Sequence, residues 1–229
     1  HKAVVVGAPY ATHLVVTART GGGQRDAGGI SVFIVPKSAK GVTTRDYPTV
    51  DGFRASEVYF ENVALGAEAR IGGEGEALPL VEKVMDEAIA ATCAEACGVL
   101  RRLQEGTVEY TKQRKQFGVP ISSFQVLQHR MVDMFIQLEQ SISMTYMATI
   151  RLSDSDAERA KAASAAKVQI GKACKFVGQN AIQLHGGMGM TDEMAIGHYF
   201  KRATMIEGLF GSTDHHLARY EALSLGAAA

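Results

Sequence analysis

The stretch Gln183–Arg202 reads QLHGGMGMTDEMAIGHYFKR. A helical pattern runs into its first residues, stops at two adjacent glycines and resumes at about Ala195. Gly186 can close the helix with a left-handed cap, and Gly187 then lets the chain turn back. The same pair also exposes bare backbone, whose amides can face an anion or a ribose. No strand precedes the pair and no lysine follows it, so neither the P-loop nor the Gly-x-Gly-x-x-Gly fingerprint is present.

Upstream of the glycines lies a helix expected over about Asp156–Leu184, with Ala163, Ala166, Ile170, Ala173, Val177, Ala181 and Leu184 on one side. Small side chains on such a face let helices approach closely. Before it, the run PISSFQ starts another helix: Ser122 is placed to cap and Gln125 to reach back, a capping box. The stripe that follows is Phe124, Leu127, Met131, Phe135, Leu138, Ile142, Thr145 and Thr149. An earlier, long helix spans Leu78 to about Gln113 on Leu78, Val81, Met85, Ala88, Thr92, Val99, Leu103 and Val108, interrupted by Glu95. Two further helices, about Ala195–Met205 and Thr213–Leu225, complete an expected antiparallel bundle over residues 73–229.

Ahead of the bundle the period changes. The runs AVVVG, HLVVTA, ISVFIVP and SEVYFENV are short, rich in β-branched and aromatic residues, and punctuated by Gly, Pro and Asp, which reads as strands. GGGQRDAGG between two of them is a hairpin connection. Residues 1–72 are therefore expected to form a partial antiparallel β domain of about five strands. It opens mid-pattern on HKAVVV, so the reading expects a missing portion upstream. The fold class is α+β.

Composition narrows the function classes. Lys+Arg 24 balances Asp+Glu 24, so no basic footprint marks a nucleic-acid partner. No apolar run reaches the roughly 20 residues that span a bilayer and no signal-peptide pattern opens the chain, which gives no membrane partner and a cytoplasmic location as expectations. Cys93 and Cys97, one helical turn apart without a further ligand pair, read as packing thiols, and no metal site is expected. The adjacent His215 and His216 face different sides of a helix, and His185 and His198 are single, so all four read as structural.

RKQFGVPISSFQ (Arg114–Gln125) and the glycine block about 60 residues later together resemble the acyl-CoA dehydrogenase family. GISVFIVPKSAKG and VYFENV are similar to the end of its central β domain, and the five helices to its C-terminal bundle; its N-terminal helical domain is absent from this chain. The resemblance implies an FAD-dependent enzyme that dehydrogenates an acyl-CoA at its α,β-bond. It implies that Arg114, Gln116, Phe117, Gln125, Gln183, Gly186 and Gly187 grip the ADP part of FAD, and that Ser212 and Asp214 also contact the cofactor. Read from the residues alone, Ser212 and Asp214 equally suit the N-terminal cap of the last helix.

The same resemblance exposes departures. The family's carboxylate base aligns with Phe210 of FGST, or in some members with Ala88 after MDE, and neither side chain accepts a proton. Glu207 and Glu87 are the nearest carboxylates; both read first as surface carboxylates, Glu207 is the candidate replacement, and the base is otherwise left unassigned. Val4 and Val6 stand where a Trp and a Thr border the flavin ring, and Ile89 where a basic residue follows the Asp of the first helix. The retained set serves a neighbouring subunit's cofactor in this family, so the expected assembly is a dimer of dimers, homomeric or heteromeric, with this chain a subunit whose base site has degenerated. Electron-transfer flavoprotein or a similar acceptor is the implied redox partner. The alternative is a non-catalytic helical scaffold of the same fold. Acyl substrate, and dehydrogenase against oxidase, are left open.

Overall fold

In the computed structural model, which describes residues 1–226, the chain divides into two compact units, the first being His1–Glu82 and the second beginning at Lys83. The first unit is antiparallel β. β1 (Lys2–Val6), β5 (Arg54–Phe60) and β4 (Val42–Pro48) form one sheet in the order β1-β5-β4. A second sheet has the order β2-β3-β6, from β2 (His13–Arg19), β3 (Ile30–Pro36) and β6 (Arg70–Ile71). The β2–β3 pair is the expected hairpin, and its glycine-rich loop is tied down by the Arg19 guanidinium, which donates to the carbonyls of Gly21, Asp26 and Gly28. Gly29 has φ 87°, and any side chain there would strike the Gly21 carbonyl. Where about five strands were expected there are six, since the two-residue β6 lies below the length at which period two can be seen. Ala8, Leu14 and Val58 are the buried centre. A register shift between Lys2 and Val5 makes a bulge in β1, where Val4 takes φ 52° and its amide donates to Glu57 Oε1.

The second unit is helical: α1 (Leu78–Gln113, which begins in the first unit), α2 (Gln125–Ile150), α3 (Asp156–His185), α4 (Ala195–Gly208) and α5 (Thr213–Ser224). Between α1 and α2 sits a two-stranded hairpin, β7 (Lys115–Gln116) and β8 (Val119–Pro120). α3 is the axis, burying Ala163, Ala166, Ile170, Ala173, Val177, Ala181 and Leu184 as the small-residue stripe requires. Contacts fix the directions. Asp86 with Arg159 and Tyr110 with His185 make α1 run with α3, while Arg130–Asn180 and Gln137–Gln169 make α2 run against it. α4 lies against Gly178 through Phe200 and reaches Lys167 with its last turn; α5 starts at Gly171 and passes Ser164 at His216 and Arg219. α4 and α5 thus follow one another down the same groove of α3. Five helices occupy four columns, and the fourth column is broken at Leu209–Ser212.

Three expectations need correction. α2 has no capping box: its N-cap is Phe124, Ser122 lies in a single 3₁₀ turn whose carbonyl takes the Gln128 amide at 2.9 Å, and Ser123 donates to Pro120 O. The buried face of α1 starts on Asp86, Ile89, Ala90 and Cys93 rather than on Leu78, Val81, Met85 and Ala88, one residue out of phase. Phe135 is half exposed, and Met134 is buried in its place. Glu95, which interrupted the stripe, forms a bidentate pair with Arg202, Nε–Oε1 2.6 Å and Nη2–Oε2 2.8 Å.

Candidate functional site

The residues singled out from sequence fall into two groups on α3. One gathers where α1 and α3 end and α2 begins. Tyr110 stacks on His185 and donates its hydroxyl to the His185 carbonyl, joining the last turn of α1 to the last turn of α3. Arg114 follows Tyr110 by one turn, its amide bonded to the Tyr110 carbonyl and its own carbonyl taken by Ile121. Gly186 and Gly187 follow His185 directly. Arg130, one turn and a half into α2, donates to Asn180 of α3, which brings Gln125 to the same end as Gln183.

Each member faces out. Arg114, Gln116, Gln125, Gln183, Gly186 and Gly187 are all exposed. Among the described residues the Arg114 guanidinium meets no carboxylate, and the lost capping box leaves the Gln125 carboxamide unbonded. Phe117 is 92% exposed at the tip of the β7–β8 hairpin, where it takes φ 55° and Gly118 φ 83°. Two consecutive positive φ values are the signature of a tight turn that suits Asn-Gly, so a phenyl ring there is held at an energetic cost of about 1 kcal/mol and shown to solvent. Its one ring contact is edge-on to Phe124 at 6.2 Å.

The glycines answer differently from the expected left-handed cap. Gly186 has φ 58° with ψ −141°, outside the αL region, and the chain continues as a 3₁₀ stretch, Gly186–Met190. A Cβ at Gly186 or Gly187 would meet nothing within 4 Å, so packing inside the chain does not demand glycine at 187. Gly189 is the tightly packed one: a Cβ would sit 3.1 Å from the Ile182 carbonyl. Bare main chain at Gly187 is therefore a surface feature. His185 beneath it is buried, bonds the Ala181 carbonyl through Nδ1 at 2.8 Å, and has its pKa lowered by desolvation.

The second group lies at the break between α4 and α5, against Gly171 of α3. Fourteen residues separate Gly171 from His185, about 20 Å along the axis. Ser212 caps α5 by accepting the His215 amide at 3.3 Å, and Asp214 is exposed in the first turn, a favourable place for an acid. Phe210 is the residue of the break with φ 58°, its side chain 38% exposed. Glu207 is half-buried and committed: Oε1 accepts from the Thr213 amide at 3.0 Å and the Thr213 hydroxyl at 3.1 Å. It closes the turn into α5. Glu87 is exposed on α1 and Ile89 is fully in the core.

Sequence reasoning read His216 as structural but missed Lys167 and the way the polar groups beneath the break are joined. Lys167 is fully buried and donates to the carbonyls of Ile206 (3.0 Å), Glu207 (2.8 Å) and Gly211 (2.9 Å). Desolvation lowers its pKa. His216 is 1% exposed, with Nε2 at 3.0 Å from the Phe210 carbonyl and Nδ1 at 3.3 Å from Ser164 Oγ. The carbonyl can only accept, so Nε2 carries the proton and Nδ1 accepts from Ser164. Burial pushes the His216 pKa down to about 4. Asp86, 0% exposed, takes Arg219 at 2.8 Å and Arg159 at 3.3 Å, and Arg219 also reaches Ser164. Single-sequence periodicity offers no signal for this set, because its partners lie up to 133 residues apart. The thiols of Cys93 and Cys174 are driven up to about 12 by burial, which leaves them inert packing groups. Among the described residues no three His, Cys, Asp or Glu gather into a metal site, and no helix is long and apolar enough to cross a membrane.

Residues 78–222 match the acyl-CoA dehydrogenase C-terminal domain, and residues 1–63 match the acyl-CoA dehydrogenase middle domain. The chain belongs to the acyl-CoA dehydrogenase family. A probable acyl-CoA dehydrogenase, YngJ of Bacillus subtilis (strain 168), is 30% identical over 209 residues, covering 90% of this chain and 55% of that protein. Among solved structures, an FAD-dependent dehydrogenase superposes with a TM-score of 0.91 at 27% identity, covering 99% of this chain and 61% of that one. The steroid ACAD Tcur3481-Tcur3483 superposes at 0.84 with 29% identity, covering 100% and 59%. The acyl-CoA dehydrogenase-family chain described here thus spans about half the length of the curated relative.

Proposed function

We propose that this chain forms the nucleotide-clamping part of an FAD-dependent acyl-CoA dehydrogenase in which the proton-removing base belongs to another chain. One observation carries the reading: unpaired binding groups gather at the end of α3, whereas at the break, about 20 Å away, the aligned base position is Phe210 and the nearby Glu207 is committed to Thr213. FAD, when bound, supplies the hydride acceptor for α,β-dehydrogenation of an acyl-CoA thioester. Arg114 offers the pyrophosphate a planar fork of donors, a charge-assisted contact stronger than a neutral one. Phe117 presents a ring face to the adenine. Gln116, Gln125 and Gln183 add carboxamides for the ribose and phosphates, while Gly186 and Gly187 let the nucleotide touch main chain.

At the break, Ser212 and Asp214 are the polar groups left for a cofactor, and Phe210 stands where the resemblance locates the base. Glu207 is a poor substitute, since taking a proton would weaken both of its bonds to Thr213. The clamp therefore serves a flavin shared with a second chain of the same fold, in a heteromeric assembly with an electron-transfer flavoprotein or similar acceptor. A steroid ACAD that carries two names, Tcur3481-Tcur3483, supports pairing of unlike chains. The test is to purify the full-length protein alone and with its companion, then measure turnover and flavin per chain. Turnover only in the mixture is expected; full turnover by the protein alone overturns the reading. A protein that stays colourless with added FAD points instead to a scaffold.

A further inference from the structure

We infer that Lys167 is a positioning residue: seated with Ser164 and Gly171 on one face of α3, its ammonium sets the course of the main chain through the break between α4 and α5. The inference goes beyond the proposed function and does not depend on a flavin.

An ammonium has three protons to donate, and Lys167 spends them on three carbonyls. Ile206 and Glu207 lie in the last turn of α4, whose carbonyls have no partner within the helix, and Gly211 lies past it in the break. One side chain therefore joins both sides of the interruption. Among the described residues no carboxylate forms an ion pair with it: Glu207 faces the ammonium but its carboxylate is held by Thr213, and Asp86 is held by Arg159 and Arg219. The other groups facing the ammonium are the thiols of Cys93 on α1 and Cys174 on α3, with His216 of α5 close by. Burying an ammonium costs several kcal/mol, and an apolar residue of similar size is commonly the cheaper occupant of such a place. What Lys167 adds is recognition of backbone, a particular arrangement of three carbonyls.

The rest of the face agrees. Positions 164, 167 and 171 follow the three and four spacing of one helical surface. Ser164 meets His216, which in turn donates to the Phe210 carbonyl. Gly171 leaves the space that Thr213 Oγ1 fills, so a Cβ there would collide with it. Four carbonyls around the break, those of residues 206, 207, 210 and 211, are thus taken by Lys167 or His216. A phenylalanine at φ 58° persists only when its surroundings over-determine it, and this face supplies that constraint.

The experiment is hydrogen exchange followed by mass spectrometry on the full-length protein carrying Lys167→Met or Gly171→Ala. A folded Lys167→Met protein is expected to exchange tenfold or more faster over residues 205–213 while peptides from α2 are unchanged. Gly171→Ala, which pushes the same segment off α3 without touching the lysine, is expected to give the same local pattern. Lys167→Arg is expected not to rescue, because a planar fork cannot meet three carbonyls approaching from different directions. Unchanged exchange over 205–213 in folded Lys167→Met, or an increase spread evenly over the bundle, overturns the inference. Should Lys167→Met not fold, Lys167→Gln is read by the same criterion.

Discussion

The ring of Tyr110 lies 4.2 Å from that of His185, and its hydroxyl bonds the His185 carbonyl at 3.3 Å, so the two helix ends that carry Arg114 and Gly187 are joined by one side chain. Tyr110→Phe keeps the stacking and loses the bond, which is expected to cost about 1 kcal/mol in stability. Tyr110→Ala loses both and is expected to weaken binding of ADP or FAD by the full-length protein at least tenfold. Calorimetric titration of both variants checks this; equal affinities would mean that the two ends are held in place by something else.

Phe117 sets stability against binding. Asn tolerates the left-handed conformation that Phe117 adopts, so Phe117→Asn is expected to raise the unfolding free energy by up to about 1 kcal/mol. The same change removes the ring and is expected to lower affinity for the nucleotide by about 1 to 3 kcal/mol. Denaturant melts and nucleotide titrations on one preparation give both signs. A variant that loses stability shows that the turn prefers its phenylalanine.

Arg114 is expected to matter only to the ligand. Arg114→Ala leaves stability within about 0.5 kcal/mol, since the exposed guanidinium pairs with nothing among the described residues. Binding of ADP is expected to fall by about 1.5 to 3 kcal/mol, and Arg114→Lys to recover only part, because a point charge lacks the bidentate fork. Nucleotide titrations at two salt concentrations read both effects.

His216 gives the fold a dependence on pH. Burial holds its pKa at about 4 against an ordinary 6.5, with Lys167, Arg219 and His215 as the charged or titratable groups facing it. The unfolded chain takes up the proton first as the pH falls. Stability is therefore full above about pH 6.5 and declines toward about pH 4, by about 3 kcal/mol for this group. Desolvated His185 acts in the same direction. Urea melts at several pH values should show the slope and its reduction in His216→Gln; an undiminished slope assigns the effect elsewhere.

What could be read from sequence was whatever local spacing encodes. The bounds of α3 follow from Ser155, which caps it by accepting the Glu158 amide, and from the two glycines that end it. The β2–β3 hairpin follows from its glycine-rich loop. Ser122 misled, because a 3₁₀ turn after Pro120 competes with a cap at that point. Lys167 drew no reading from sequence, since nothing in its neighbourhood announces carbonyls 39 to 44 residues away. Phe117 entered only through the family resemblance, as one of the residues that grip ADP; the backbone of the hairpin is what tells that the ring is held outward. The candidate clamp residues were read from two motifs, but Tyr110, which joins them through His185, lies outside both.

The interrupted fourth column separates two properties that usually travel together. Because α4 and α5 sit in one groove with a short gap between them, the side chain in the gap can be exchanged without altering the length, register or contacts of any helix. On the proposed function, the chemistry at position 210 and the scaffold that frames it are therefore free to vary independently.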